Sequence, residues 1–446
     1  VTCAFLLPCS ARALRAGAAV FGLVLVACGD GSGPGERRGD GGPRPDGGPI
    51  VLPDTGPPSR PPPDTIVPCR QVAEPRTLFT GVGTGAPRLS VAPGVFDDEL
   101  LLATPRGESA ADRVSVERVN TSGVPFAPAA FATPSHPRTA SPALVGTAEG
   151  EILVYLHDGF PPFRAYLSVR RDADAAWSAP VPLTGGALDA RRVVATRVGT
   201  GGAVVAIREV PVDGDGPARL LLGRVDADGQ VRTLPAELDG SEGVGGFALA
   251  SRGSSVTLVF DRPSQGSDGR DLVAFEVTSL GVATGGAPAV VAEDRSLTGE
   301  PAALRLPSDQ EGSNDDVRLV AWSQREGDGV LSEVHLARIG DGAFEDILTS
   351  GAATGTAPAL VPLFDGWFVV AYRDDQAGQI RMRVGRPFRT GGLAAGDLFE
   401  LANDGGGTLV AASSRDAWGI GLAWTERTDT GFRARYGAAR CTDRSP

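Results

Sequence analysis

Residues 368–385 read FVVAYRDDQAGQIRMRVG. An apolar run closes on Tyr372, Arg373 and Asp374, a short polar loop follows, and a second run alternates apolar with polar residues. β-branched and aromatic residues bounded by Asp and Gly read as strands, and alternation with period two leaves one face to be buried. The stretch is therefore a hairpin, and six others like it occur in the chain. ELLLATPR, ILVYLHD, AVVAIRE, VTLVFDR, VRLVAWSQ and GIGLAWTE match its first strand; DRVSVERV, RAYLSVRR, ARLLLGRV, DLVAFEV, EVHLARI and RARYGAA match its second. Alignment puts Thr104, Leu156, Ile207, Phe260, Trp322, Tyr372 and Trp424 in one column, at intervals of 52, 51, 53, 62, 50 and 52 residues. The long interval holds the polar insert PSDQEGSNDD (307–316), expected to be an exposed loop.

Several second strands run into Asn-, Asp- and Gly-rich turns such as RVDADGQV (224–231), the chemistry of a tight hairpin. An outer segment (APVPLT, VRTLPA, APAVVAE, FEDILT) and a further strand (SPALVGTA, APALVPLF) precede the next hairpin. Four antiparallel strands in about fifty residues, seven times over, define an all-β chain: a seven-bladed β-propeller of four-stranded blades. Each blade has only its neighbours to bury its two faces against, so the ring must close.

Closure can be read at the chain's ends. The last repeat stops after its third strand, RARYGAARC (433–441), and CRQVAEPRTLFTG (69–81) resembles an outer segment such as QVRTLPAELDG (230–240). The early strand is expected to complete the seventh blade. Aligning Gly437 with Gly223 places Cys441 on Ala227 in a turn, and Cys69 near Gln230 on its far side. A Cys69–Cys441 disulfide is expected to replace the missing turn. Closing so long a loop stabilises by about 4–5 kcal/mol in the chain-entropy model, and it requires an oxidising compartment.

The N-terminal stretch SARALRAGAAVFGLVLVAC (10–28) has Arg12 and Arg15 ahead of an apolar segment too short to span a bilayer, as in a secretory signal. Leu25-Val26-Ala27-Cys28 resembles the bacterial lipobox. That resemblance implies a signal peptide over 1–27, a lipid on Cys28, and a cell-envelope location, anchored to a bacterial membrane on its periplasmic or surface side. Residues 28–67 are rich in Gly, Pro and Asp, and such a stretch is expected to be a disordered tether. The propeller is expected over 68–446, as a monomer.

Composition excludes some functions. The net charge is −12, and all 42 basic residues are Arg; a nucleic-acid partner calls for a basic footprint instead. His136, His157 and His335 are isolated in sequence, so no zinc site is expected. No Gly-x-Ser-x-Gly elbow or phosphate-binding loop occurs, and no cofactor or catalytic residue is assigned. DGDG (213–216) and EGDG (326–329) lack the ligand spacing of a calcium loop.

RRDADAAW (170–177) resembles the Asp-box of sialidase-like propellers, Ser-x-Asp-x-Gly-x-Thr-Trp. Asp172 and Trp177 match; Arg170, Asp174 and Ala176 stand at the Ser, Gly and Thr positions. The resemblance implies that Asp172 caps a turn and Trp177 packs between sheets, a folding role. The Arg-Ile-Pro stretch of true sialidases is missing, and Tyr155, Tyr166 and Tyr436 fall inside strand patterns as packing residues.

The loops inside the seven hairpins should share one face, where function concentrates on a rigid scaffold. They supply Asp158, Arg208, Glu209, Asp261, Arg373, Asp374 and Glu426 as ligand-face candidates. The expected activity is binding of a protein or glycan. The alternative is a glycoside hydrolase or lyase using carboxylates on that face, and hydrolysis needs two of them about 5–9.5 Å apart.

Overall fold

The computed structural model describes residues 69–82, 87–108, 111–126, 128–134, 139–157, 162–172, 174–213, 215–307, 316–325, 332–340, 344–348, 355–374, 376–386, 394–395, 399–400 and 407–441. All lie in one compact unit, Arg60–Pro446. The anticipated signal, Cys28 and tether fall outside the described residues, as do His136, Asp158 and residues 308–315 of the polar insert.

The hairpins assemble into seven antiparallel sheets arranged as the blades of a propeller. Blade 3 is representative: Asp189–Val198, Gly202–Val210, Arg219–Asp226 and Val231–Glu237 are hydrogen-bonded in that order from the axis outward. The other inner strands are Ser90–Pro93, Thr139–Gly146, Phe247–Arg252, Ala302–Pro307, Gly355–Pro362 and Leu409–Ser413, in blades 1, 2, 4, 5, 6 and 7. The one helical element among the described residues is a single 3₁₀ turn, Phe364–Gly366.

Burial explains why the ring closes. The described core divides into seven apolar clusters, one at each blade-to-blade interface. Leu89, Leu100 and Val119 of blade 1 meet Ala423, Ala434 and Tyr436 of blade 7 in the cluster that shuts the circle. All seven residues of the aligned column, Thr104 to Trp424, are buried. At about 25 cal/mol per Å² of apolar surface removed from water, leaving one interface open would forfeit a whole cluster.

Blade 7 takes its outer strand from the far end of the chain. Cys69–Gln71 and Arg76–Val82 both pair with Gly431–Cys441. Cys69 lies directly opposite Cys441 in register, and the two form a disulfide. In blade 3 the same place holds the turn in which Gly229, at φ +86°, donates its N–H to the Asp226 carbonyl at 3.0 Å.

The Asp-box-like segment plays its folding part. Asp172 Oδ1 accepts from the N–H groups of Asp174 (3.0 Å) and Ala175 (2.9 Å). Trp177 packs on the cluster between blades 1 and 2, with the Arg170 guanidinium 5.0 Å from its ring centre.

Three inner strands carry bulges that alternation does not anticipate, at Ala140/Ala143, Ala190/Arg192 and Thr356/Ala359. In the first and third, a residue at φ 48°, Ser141 or Ala357, precedes a proline. Proline has no N–H for the ladder and is tolerated within a sheet at such irregularities.

Candidate functional site

Antiparallel order brings the hairpin loops and the start of every inner strand to one end of the ring. There the inner strands of all seven blades surround a cavity of about 570 Å³. Small residues such as Ser90, Ser141, Ala302 and Ala411 line much of it. Serine hydroxyls tie neighbouring inner strands together: Ser90 Oγ accepts from the Leu144 N–H at 2.9 Å, and Ser141 Oγ from the Val193 N–H at 3.4 Å.

Three charged residues line the cavity among the described ones, and they are joined. Arg88 enters from blade 1, Arg192 from blade 3 and Glu300 from the approach to blade 5. Glu300 Oε1 lies 2.5 Å from Arg88 Nη1, and Oε2 lies 2.5 Å from Arg192 Nη2. These blades are not neighbours, so one carboxylate spans the axial opening. The backbone holds Glu300 in place from both sides. Gly299 has φ +80°, a conformation that suits glycine, and Pro301 restricts the residue before it. Gly246 lets this segment approach, since a Cβ there would stand 2.9 Å from the Gly299 carbonyl and 3.1 Å from Glu300 Cα.

The bulge at Ala190/Arg192 separates two consecutive arginines. Arg191 pairs with Asp189 at 2.6 Å, whereas Arg192 turns into the cavity with its guanidinium 4.5 Å from the Phe247 ring centre. Burial lowers the Arg192 pKa to about 10, partly offset by Glu300. Burial likewise lowers that of Arg208, which shares this electrostatic neighbourhood with Arg88, Asp261, Glu300 and Arg270.

Most of the anticipated loop-face residues are built into the blades. Arg208 Nε donates to the Val244 carbonyl at 3.0 Å. Asp261 accepts from the N–H groups of Gly245 (2.6 Å) and Gly246 (3.0 Å) and pairs with Arg270 (2.6 Å). Arg373 is fully buried and donates to the Thr425 carbonyl at 2.6 Å. Asp374 pairs with Arg381 at 2.7 Å. Glu426 accepts from Trp424 Nε1 (2.9 Å) and pairs with Arg433 (2.8 Å) and Arg435 (3.4 Å). The tryptophan latch repeats in blade 5, where Trp322 Nε1 donates to Gln324 Oε1 at 3.1 Å. Glu209 is buried 3.9 Å from Arg219; burial raises its pKa, Arg219 opposes this and Glu237 adds to it.

The cavity trio escapes a sequence search aimed at hairpin loops because Arg192 lies on an inner strand and Arg88 and Glu300 lie just before theirs. The available signal was a charged residue where other inner strands carry small or apolar ones, in APRLS (86–90), ARRVV (190–194) and GEPAAL (299–304).

No protein-family model matches the chain, and no curated protein matches it. Solved structures do resemble it. An ulvan lyase bound to a GlcA(1-4)Rha3S unit superposes with TM-score 0.51 at 10% identity, over 81% of this chain and 95% of that one. A hydrazine synthase from Kuenenia stuttgartiensis gives 0.46 at 11%, over 80% and 99%. A Hadza microbial sialidase gives 0.44 at 12%, over 68% of this chain; the match spans 65% of the sialidase's own length. Identities this low speak to the fold alone: the protein is a seven-bladed β-propeller whose structural neighbours include sialidase-like propellers.

Proposed function

We propose that this chain is an exported, lipid-anchored propeller that binds a glycan in the axial cavity. One observation carries the reading: a cavity of about 570 Å³ opens at the loop end of the ring, with three joined charges at its wall. That volume lies in the range that encloses small-molecule ligands, and a concave site of this size suits a sugar unit better than a flat protein surface. Glu300 is the one carboxylate among the described lining residues, and it is held between two guanidinium groups. Binding is therefore better supported than hydrolysis by paired carboxylates. A buried Cys69–Cys441 disulfide is consistent with an oxidising, extracytoplasmic compartment, and the lipobox-like Cys28 supports the anchor.

A glycan array probed with the full-length chain should show selective binding, and a blank array overturns the reading. Intact-mass analysis of the membrane-extracted protein should find acyl chains on Cys28; a mature protein without them removes the anchor from the proposal.

A further inference from the structure

Glu300 lies at the wall of the axial cavity and bridges two arginines. Its carboxylate has two oxygens, each committed to a guanidinium from a different blade, and the free volume of the cavity adjoins them. Three features distinguish this ion pair from a structural one. Glu300 is 32% exposed and Arg88 37% exposed, so water and solutes reach the pairing. Arg192 is 11% exposed, yet its Nη1 is buried with no hydrogen-bond partner among the described residues. A buried donor without an acceptor is costly, so Glu300 alone leaves the Arg192 guanidinium under-satisfied.

The third feature is charge. Among the described residues, Arg88, Arg192, Arg208 and Arg270 share one neighbourhood with two carboxylates, Asp261 and Glu300. Asp261 is already committed to Arg270 and to two backbone N–H groups. Counted over the described residues, positive charge is in excess at this place, on a chain whose net charge is −12.

We propose that Arg88 and Arg192 form an acid-binding subsite whose resting occupant is Glu300, and that the carboxylate of an acidic sugar displaces Glu300 to bind there. The inference rests on the glycan-binding reading and adds the ligand's charge and a built-in competitor. The incoming carboxylate takes over the charge-assisted hydrogen bonds that Arg88 Nη1 and Arg192 Nη2 now make to Glu300. Glu300 swings into the solvent that already reaches it. The internal acid thus sets a threshold: a neutral sugar gains nothing at the subsite, and an acidic one must outcompete a tethered carboxylate.

The test is calorimetric titration of the full-length chain with glucuronate, with glucose as the neutral control and inorganic sulfate as a second oxyanion. Glu300→Gln should bind glucuronate at least about tenfold more tightly than the wild type, with glucose unchanged. Glu300→Asp, too short to span both arginines, should fall between them. Adding Arg192→Gln to Glu300→Gln should abolish the gain. A matching gain for sulfate would extend the subsite to oxyanions in general, and no gain for sulfate would restrict it to carboxylates; both keep Glu300 as the competitor. Unchanged or weaker glucuronate binding by Glu300→Gln, with thermal unfolding intact, overturns the inference, as does an equal gain for glucose. If the array finds a neutral glycan and Glu300→Gln brings no gain for glucuronate, this inference falls and the binding reading stands. A blank array overturns both.

Discussion

Two charged networks at opposite ends of the ring use the same residue types to opposite effect. At the end bearing the disulfide, Glu99, Arg118, Glu151 and Arg170 form a chain across blades 1 and 2. Arg118 lies 3.2 Å from Glu99 and 2.5 Å from Glu151, and Arg170 lies 2.5 Å from the other Glu151 oxygen. Glu99 also accepts from the N–H groups of Val95 (2.7 Å) and Phe96 (3.2 Å). Two acids meet two bases, and none of these side chains is more than 10% exposed. At the other end, one partly exposed acid lies between two arginines beside an open cavity. A balanced and dry network is a fastening. An unbalanced and wet one has capacity left for a ligand.

The contrast can be broken most forcefully at the clasp. Replacing Cys69 and Cys441 by serine removes the one covalent link across blade 7. The change should lower unfolding stability by about 4–5 kcal/mol in the chain-entropy model, read as a fall in the denaturant midpoint. A midpoint unchanged from that of the oxidised wild type would show that the outer strand holds without it.

A comparison of Glu151→Gln with Glu300→Gln comes next in size. The first leaves Arg118 and Arg170 buried with their shared charge gone, which should cost about 3–5 kcal/mol. The second alters a carboxylate about a third exposed, shared between a partly exposed Arg88 and a largely buried Arg192, and should cost about 1–2 kcal/mol, between the surface and buried cases. Equal losses in urea unfolding would erase the distinction between the two networks.

Titration gives the smallest and finest contrast. At the clasp end, burial acts to raise the Glu276 pKa, but hydrogen bonds from Arg305 and Arg318 outweigh it and leave the group below its usual value. Its stabilising contribution is present above the unfolded pKa and is lost as pH falls through the folded one. At the loop end, burial raises the Glu209 pKa. Its contribution is present below the unfolded pKa and is lost as pH rises through the folded one. Stability measured from about pH 3 to pH 7 should therefore lose slope on the acid side in Glu276→Gln, and decline less toward neutrality in Glu209→Gln. Slopes of the opposite sense would refute both assignments.

The blades, their number and the Cys69–Cys441 clasp were legible in the sequence because each depends on local alternation and a period near fifty residues. The column from Thr104 to Trp424 is buried throughout, since every blade solves the same packing problem. The cavity trio was not legible in this way. Arg88, Arg192 and Glu300 come from blades 1, 3 and 5, and only closure of the ring makes them neighbours. The loop acids drew attention because Asp and Glu stand out in hairpins, yet burial ties Asp261, Asp374 and Glu426 to arginines and backbone amides of their own surroundings. Bulges at Ser141 and Ala357 had a local cue in the prolines that follow, but alternation alone could not place them.

The disulfide also decides how the ring would bear a pull. Tension applied to the chain N-terminal of Cys69 reaches the sulfur bridge before it reaches any hydrogen bond of the outer strand. It passes covalently into the third strand of blade 7, which is paired along its length with the second. Peeling, in which hydrogen bonds fail one at a time from a free end, has no starting point there. A tug on this propeller therefore bypasses the outer strand and falls on a strand gripped along both edges.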